Sequence, residues 1–323
     1  MSDPIRLAFA LNGPQAGQHL TDANVAQVLE AETLGWVHLS SDHPDTPAWI
    51  ARNLAYLDPA VIEALTATAT RSRAVRIGDG ILVILRGINT NEGHDPEDMV
   101  SVRVWADANR IVTLSRQRVR ALGDIADAIA AGQGPGSAGA FLALLAERLN
   151  MRLEGLVNDL DMETDALETR VIGEPDAALR RHLVTMRLQV IELRRHCAPQ
   201  RVALSDMEAA DLALFSDADR LDLSETRQRL TRQIENLEEM RDSLAVLREE
   251  LSGQLSDRLN RNMYILSILS AVFLPLGFLT GLFGVNVGGI PGATAEWAFW
   301  VFCGALTVII ALQFVILRYL RWM

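Results

Sequence analysis

Lysine is absent from this chain, and all thirty of its basic residues are arginine. They are outnumbered by 41 acidic residues, so the formal net charge is -11 at pH 7. A nucleic-acid-binding protein neutralises phosphates with a basic patch, and this acidic sequence shows none. We therefore expect no nucleic acid partner.

Charged residues are also missing from most of the C-terminal part of the chain. None occurs from Asn262 to Ala295, and none between Glu296 and Arg318. These gaps contain two apolar runs of 21 residues, 263–283 and 297–317, and a helix of that length crosses roughly 30 Å of hydrocarbon. The alternative is a pair of buried core helices, but such helices seldom stay apolar on every face. The sequence predicts two transmembrane helices.

The arginines on either side of these runs predict the orientation. The N-terminus lacks the basic and then apolar pattern of a signal peptide, so residues before the first run are expected in the cytoplasm. Arg261 precedes the first run and Arg318 follows the second, whereas loop 284–296 has no basic residue. Both termini are therefore predicted to be cytoplasmic and the loop to face outward. Cys197 and Cys303 then lie in different compartments, where they can form neither a disulfide nor a thiolate metal cluster.

The first 135 residues have the pattern of an α/β domain. Strands are predicted for short apolar runs rich in β-branched residues, at 5–11, 36–39, 81–88, 99–105 and 110–115. Helical spacing after an aspartate predicts helices at 22–34 and 58–68. Strands interspersed with helices indicate a sheet covered by helices. The glycine-rich segment 130–139 marks the end of this domain.

Residues 136–262 are predicted to be helical and to form a stalk. One helix covers 140–173, and a second covers 178–197 and stops before Pro199. A third begins near Ser205 and continues into the first membrane run as one rod of 79 residues, roughly 120 Å long. Leucines repeat every seven residues along this helix, at Leu230, Leu237, Leu244 and Leu251. This spacing is typical of a helix packed against other helices.

Small and polar residues follow one side of the first membrane run. This row contains the apolar Leu274 together with six small or polar residues, Asn260, Ser267, Ser270, Gly277, Gly281 and Gly284. Such residues gain nothing from facing acyl chains, so they should face other helices or water. The row is compatible with a dry contact between helices, or with an aqueous pore. Two spans cannot enclose a pore, so a pore would require several copies of the chain.

The segment PLGFLTGLFGVN, at 275–286, resembles the pore-end signature of the CorA superfamily of divalent metal transporters. In that family the first of two C-terminal spans ends in Gly-Met-Asn. Here the triplet is Gly284, Val285 and Asn286, and with the following VGGIPG it is similar to the ZntB branch, which carries Gly-Val-Asn. The layout is also similar, with an α/β domain, a long stalk, two spans and a tail at 318–323. The resemblance implies a homopentameric funnel with the first span lining a central pore.

The resemblance also implies roles for residues of this sequence. Glycines at the end of the pore helix would let five backbones approach, and five copies of Asn286 would offer a ring of amide oxygens. Neutral oxygens suit a divalent ion that keeps its water shell. Asn260 would form a polar inner ring, and Leu274 an apolar constriction that closes by dewetting. Glu296 would attract cations at the outer mouth, or would be an ordinary interfacial acid beside Trp297.

Two features of the sequence leave the transported ion and its coupling open. Val285 replaces the methionine of magnesium channels, whereas zinc is linked with the ZntB branch. Neither the pore face nor the loop offers the histidine or cysteine that zinc prefers. No ionisable acid or histidine lies within either span to couple zinc to protons, and Asp257 and Glu296 are the nearest candidates.

Three groups of potential metal ligands precede the spans, and each is more simply explained as solvated surface. The acidic segment 91–98 separates two strands. His182 and His196 share a helical face without further ligands, and the acids of 159–168 follow one helix. We expect no tightly bound cofactor and no enzymatic activity, since the chain has no phosphate loop or nucleophile elbow.

Taken together, the sequence predicts a multi-pass divalent cation transporter of the bacterial inner membrane. Zinc uptake, with or without proton coupling, is the favoured activity. The alternative is a CorA-like channel for magnesium or cobalt, and Ni²⁺ and Cd²⁺ are further candidate ions. An alternative of another class is a membrane-anchored metal-sensing or signalling protein that transports nothing.

Overall fold

The N-terminal part of the protein is built on one mixed sheet. The computed structural model describes residues 4–20, 25, 33–67, 70–173, 176–285 and 295–319. Its strands are Ile5–Ala10 (β1), Gly35–Ser40 (β2), Arg73–Ile77 (β3), Gly80–Gly87 (β4), Val100–Ala106 (β5) and Arg110–Ser115 (β6). Their order is β1-β2-β6-β5-β4-β3. The neighbouring strands β2 and β6 are parallel, and the other neighbouring strands are antiparallel.

The five predicted strands are confirmed, and a hairpin joins β5 and β6. In the hairpin turn the Asp107 N–H donates to the Arg110 carbonyl at 3.0 Å. Strand β3 was not predicted from the sequence. This strand lies at the edge of the sheet and its side chains are mostly exposed, so it lacks the apolar run of a buried strand.

Helices cover both faces of the sheet, as predicted. Those described are Thr46–Asn53 (α1), Pro59–Thr66 (α2), Arg120–Ala130 (α3), Ala138–Gly173 (α4), Ala177–Ala209 (α5), Asp217–Gly284 (α6) and Ala298–Tyr319 (α7). On one face Val37 and Leu39 share a buried cluster with Ile50 of α1 and Val61 of α2. On the other face Trp36 packs on Phe141 of α4, with 4.9 Å between ring centroids. The sequence analysis did not predict α1 or α3, and the helix predicted at 22–34 lies mostly outside the described residues.

The second predicted helix does not stop at Pro199. Instead α5 continues through this proline to Ala209. A proline inside a helix removes one backbone hydrogen bond, but the packing of the following turns compensates for that loss. The next side chain, Gln200, accepts the Arg86 N–H of β4 at 2.6 Å, and Leu204 and Met207 are buried. Tertiary contacts therefore override the local stop signal.

The long rod is shorter than predicted, because a cap separates it from α5. Ser216 donates its N–H and its hydroxyl to Asp219 Oδ2, at 2.8 Å each. In return the Asp219 N–H donates to Ser216 Oγ at 3.2 Å. This reciprocal capping box starts a new helix, so α6 begins at Asp217 and has 68 residues. The sequence Ser-x-x-Asp could have predicted this start.

The chain divides into two compact units, Met1–Glu249 and Glu250–Met323. In the first unit the predicted heptad residues Leu230, Leu237 and Leu244 of α6 are buried. The Arg194 guanidinium of α5 donates to Glu238 of α6. In the second unit the end of α6 packs on α7. The domain borders predicted at 135 and 262 remain predictions.

Candidate functional site

Two helices are long and apolar enough to cross a membrane, α6 and α7. In the most apolar stretch of 18 residues of each helix, 0% of the residues are buried in α6 and 6% in α7. A core helix of a soluble protein would instead be mostly buried. The exposure therefore favours membrane spans over the core-helix alternative.

One side of the last part of α6 contacts α7. The rings of Phe283 and Phe302 lie 5.3 Å apart, and the Gln313 amide donates to the Ala271 carbonyl at 3.4 Å. Half-buried side chains mark this side of α6, at Ile268, Val272, Pro275, Leu276 and Leu279. At 100° per residue these positions fall within about 100° of one another around the helix.

The row of small and polar residues lies on the opposite side of α6. All seven members are exposed, and Leu274 is 71% exposed. Val272 lies on the side that contacts α7. Leu274, two residues later, is roughly 200° around the helix from Val272, and Gly281, nine residues later, is roughly 180° from Val272. A Cβ built on Gly277, Gly281 or Gly284 would meet nothing within 4 Å. Within the described residues this side of α6 carries no helix.

The hydroxyl of Ser267 retains the ability to accept hydrogen bonds. It donates its hydrogen to the Met263 carbonyl of its own helix at 2.8 Å. The lone pairs of the oxygen remain available. A hydroxyl in this arrangement can accept a hydrogen bond from a water molecule that hydrates a cation.

The predicted selectivity triplet begins where α6 ends. Gly284 is the last residue of the helix, and Val285 follows it and is 49% exposed. Asn286 lies outside the described residues, so its predicted role stays a prediction. Glu296 is exposed two residues before α7 begins, next to the exposed Trp297.

The potential ligands of the first unit do not come together into a metal site. His182 pairs with Glu163 across α5 and α4 at 2.6 Å, and His196 pairs with Glu192 on its own helix at 3.1 Å. Burial and the charge of Arg86 lower the pKa of His196. Among the described residues no group of three or more His, Cys, Asp or Glu could hold a metal ion.

Gln313 is a residue that the sequence analysis missed. Its amide is not ionisable, and ionisable groups were the expected mark of a functional residue within a span. The available signal was an amide side chain in one span together with a proline in the other. Both are exceptions in apolar helices, and each leaves a polar group that needs a partner.

Comparison with known proteins identifies the family of this chain. The family model described as CorA-like Mg2+ transporter protein matches residues 31–318. The divalent cation transporter CmaX of Pseudomonas aeruginosa is 38% identical over 319 residues, which cover 98% of this chain and 96% of that protein. The zinc transport protein ZntB of Yersinia enterocolitica is 35% identical over 309 residues, which cover 94% and 92%.

Solved structures share the whole fold. The structure of the full-length CmaX protein matches with a TM-score of 0.85 at 36% identity, over 98% of both chains. The complete structure of the CorA magnesium transporter from Methanocaldococcus jannaschii matches with a TM-score of 0.80 over 100% of both chains. Its identity of 15% makes that likeness one of fold alone. The resemblance seen in the sequence is confirmed, and this chain belongs to the CorA family of divalent cation transporters.

Proposed function

We propose that five copies of this chain surround a central pore lined by α6 and carry zinc into the cell. The observation that carries this proposal is the position of the row from Asn260 to Gly284, on the side of α6 that faces away from α7. The described part of the chain leaves this row of α6 uncovered, and small and polar residues in a membrane span favour contact with other helices or with water. Other copies of the row would supply both. Similarity to a zinc transport protein over 94% of the chain favours zinc.

The pore would pass an ion that keeps most of its water. The described members of the row offer hydroxyl and amide oxygens, and no thiolate or imidazole. Such groups hold the water shell of an ion by hydrogen bonds and do not replace the shell. We expect five copies of Asn286 to form the narrowest polar ring, with modest affinity for the ion. Selection would follow the charge and the hydrated size of the ion.

The proposed setting is the bacterial inner membrane, with both termini in the cytoplasm. The arginines beside the two spans and their absence from 284–296 support this orientation. Glu296 would then contribute five carboxylates near the outer mouth. That ring would raise the local concentration of cations by electrostatic steering.

Flux into liposomes tests both the transported ion and the role of Asn286. The full-length protein should carry zinc faster than magnesium, and a pH gradient should alter the zinc rate if transport is coupled to protons. Asn286→Ala should change the initial zinc rate about tenfold, equivalent to about 1.4 kcal/mol in the barrier. Asn262→Ala is the matched control, because Asn262 lies roughly 200° around the helix from Asn260, and it should conduct like the wild type.

Each alternative has its own outcome in this experiment. Magnesium flux faster than zinc flux, without response to the gradient, would support the magnesium or cobalt channel. Flux at background in both the wild type and Asn286→Ala would support a membrane-anchored sensor that transports nothing. Either result overturns the proposal of zinc import.

A further inference from the structure

Pro275 leaves one backbone carbonyl of α6 without its helical partner. The helix continues through this proline, but proline has no N–H to donate to the carbonyl four residues earlier. That carbonyl belongs to Ala271. In hydrocarbon an unpaired carbonyl is costly, and neighbouring helices commonly supply the missing donor.

Gln313 of α7 supplies that donor. Its Nε2 donates to the Ala271 oxygen at 3.4 Å, and both residues lie in the second compact unit. Hydroxyls of the same helices behave differently. Ser267 and Thr280 of α6 and Thr307 of α7 each donate to a carbonyl of their own helix.

The Gln313 amide is not the side chain that helix stability alone would favour. Its Oε1 is buried and has no hydrogen-bond partner among the residues that the structure describes. A leucine at this position would bury no such oxygen and would suit the apolar surroundings better. Polar side chains retained within a span at such a cost commonly serve function.

We propose that Gln313 is a positioning residue for transport, which holds α6 against α7 at the carbonyl that Pro275 leaves unpaired. This proposal rests on the proposed pore. Pro275 is on the side of α6 that faces α7 and is half-buried, and a helix bends away from the side of its proline. Without the hydrogen bond α6 would lean away from α7, toward the proposed axis. The pore would then narrow at Leu274.

The first test replaces the amide by an apolar side chain of similar size. Gln313→Leu should lower the initial rate of zinc flux into liposomes about three- to tenfold. Its assembly should be unchanged, measured as the elution volume of the full-length protein in detergent. Thr307→Val is the matched control, since it removes a hydroxyl from α7 that bonds within α7. We expect Thr307→Val to conduct like the wild type.

The second test restores the backbone donor. Pro275→Ala supplies an N–H for the Ala271 carbonyl, so Gln313 is no longer needed there. Adding Gln313→Leu to Pro275→Ala should therefore change the zinc rate less than about 1.5-fold, against three- to tenfold in the native background. A purely structural loss from Gln313→Leu would lower the rate in both backgrounds.

The third test makes the donor depend on pH. The carboxyl introduced by Gln313→Glu can donate only when it is protonated. With equal pH on both sides of the liposome, the rate of Gln313→Glu relative to the wild type should be higher at pH 6.0 than at pH 7.5. The relative rate of Gln313→Leu should be the same at both.

The outcomes separate this proposal from the proposed function. If the wild type conducts zinc and Gln313→Leu conducts equally well, the role of Gln313 is wrong and the pore stands. Equal loss in the proline and alanine backgrounds also overturns the role of Gln313. If the wild type conducts no ion above background, the proposed function itself fails.

Discussion

At the scale of single residues, the sheet of the first unit contains a neutral histidine. His38 is 3% exposed. Its Nδ1 lies 3.0 Å from Thr113 Oγ1, and its Nε2 lies 3.3 Å from Ser115 Oγ. Burial, together with the positive charge of Arg6, lowers the pKa of His38 from 6.5 to about 4. The folded protein therefore resists protonation of this ring at a pH where the unfolded chain accepts a proton.

This pKa shift predicts how stability depends on pH. Between about pH 6.5 and pH 4 the unfolded chain binds a proton that folded His38 does not, so stability falls as the pH falls through this window. Between pH 7.5 and 5.5 the loss should be about 1 kcal/mol. His38→Gln should lose correspondingly less over the same range, measured by denaturant unfolding of the full-length protein in detergent.

The control for this measurement is His19→Gln, at an exposed histidine. This variant should show the same pH dependence as the wild type. If His38→Gln also kept the full dependence, burial of His38 would not be its source.

At the scale of elements, α6 has two sides with different partners. One side is half-buried against α7, and the opposite side carries the small and polar row. The sequence predicted that small and polar residues share one side of this helix, because they recur at seven-residue spacing and helical periodicity is local. Which side α7 covers was not accessible, since it depends on contacts such as that between Phe283 and Phe302.

The two sides of α6 predict different effects of similar substitutions. Leu274 is in the row, and a polar side chain there should weaken an apolar constriction that closes by dewetting. We expect Leu274→Ser to raise the initial flux at least about threefold. Leu269→Ser should conduct like the wild type, because Leu269 lies roughly 140° around the helix from Leu274. A lower flux in Leu274→Ser than in Leu269→Ser would contradict the constriction.

At the scale of the whole molecule, the family is established and the assembly is proposed. The match covers residues 31–318 and the fold agrees with complete family structures. A single chain leaves the row of α6 uncovered within its described residues, which is why the proposed pore depends on the number of copies.

The mass of the assembled protein tests this proposal. Five chains of 35.5 kDa give a particle of about 178 kDa, to be measured by native mass spectrometry after detergent removal. A monomer or a dimer under conditions that preserve zinc flux would contradict a pore formed by five copies of α6.

The sequence by itself determined the two spans, the heptad face of the stalk and the family. An apolar run of 21 residues favours lipid, and a seven-residue repeat of leucines favours packing against another helix. Both preferences are local, so they do not depend on the rest of the chain. The signature at 284–286 is similarly local. The residues of the capping box, Ser216 and Asp219, were also visible in the sequence, although the predicted helix began before them, near Ser205.

Only the tertiary structure decided the features that join distant residues. The continuation of α5 through Pro199 depends on contacts with β4, where Gln200 meets Arg86. Likewise, the pairing of Gln313 with the carbonyl freed by Pro275 brings together residues 42 positions apart. Local propensity carries no information about such pairs, because their free energy appears only once packing has brought the two segments together.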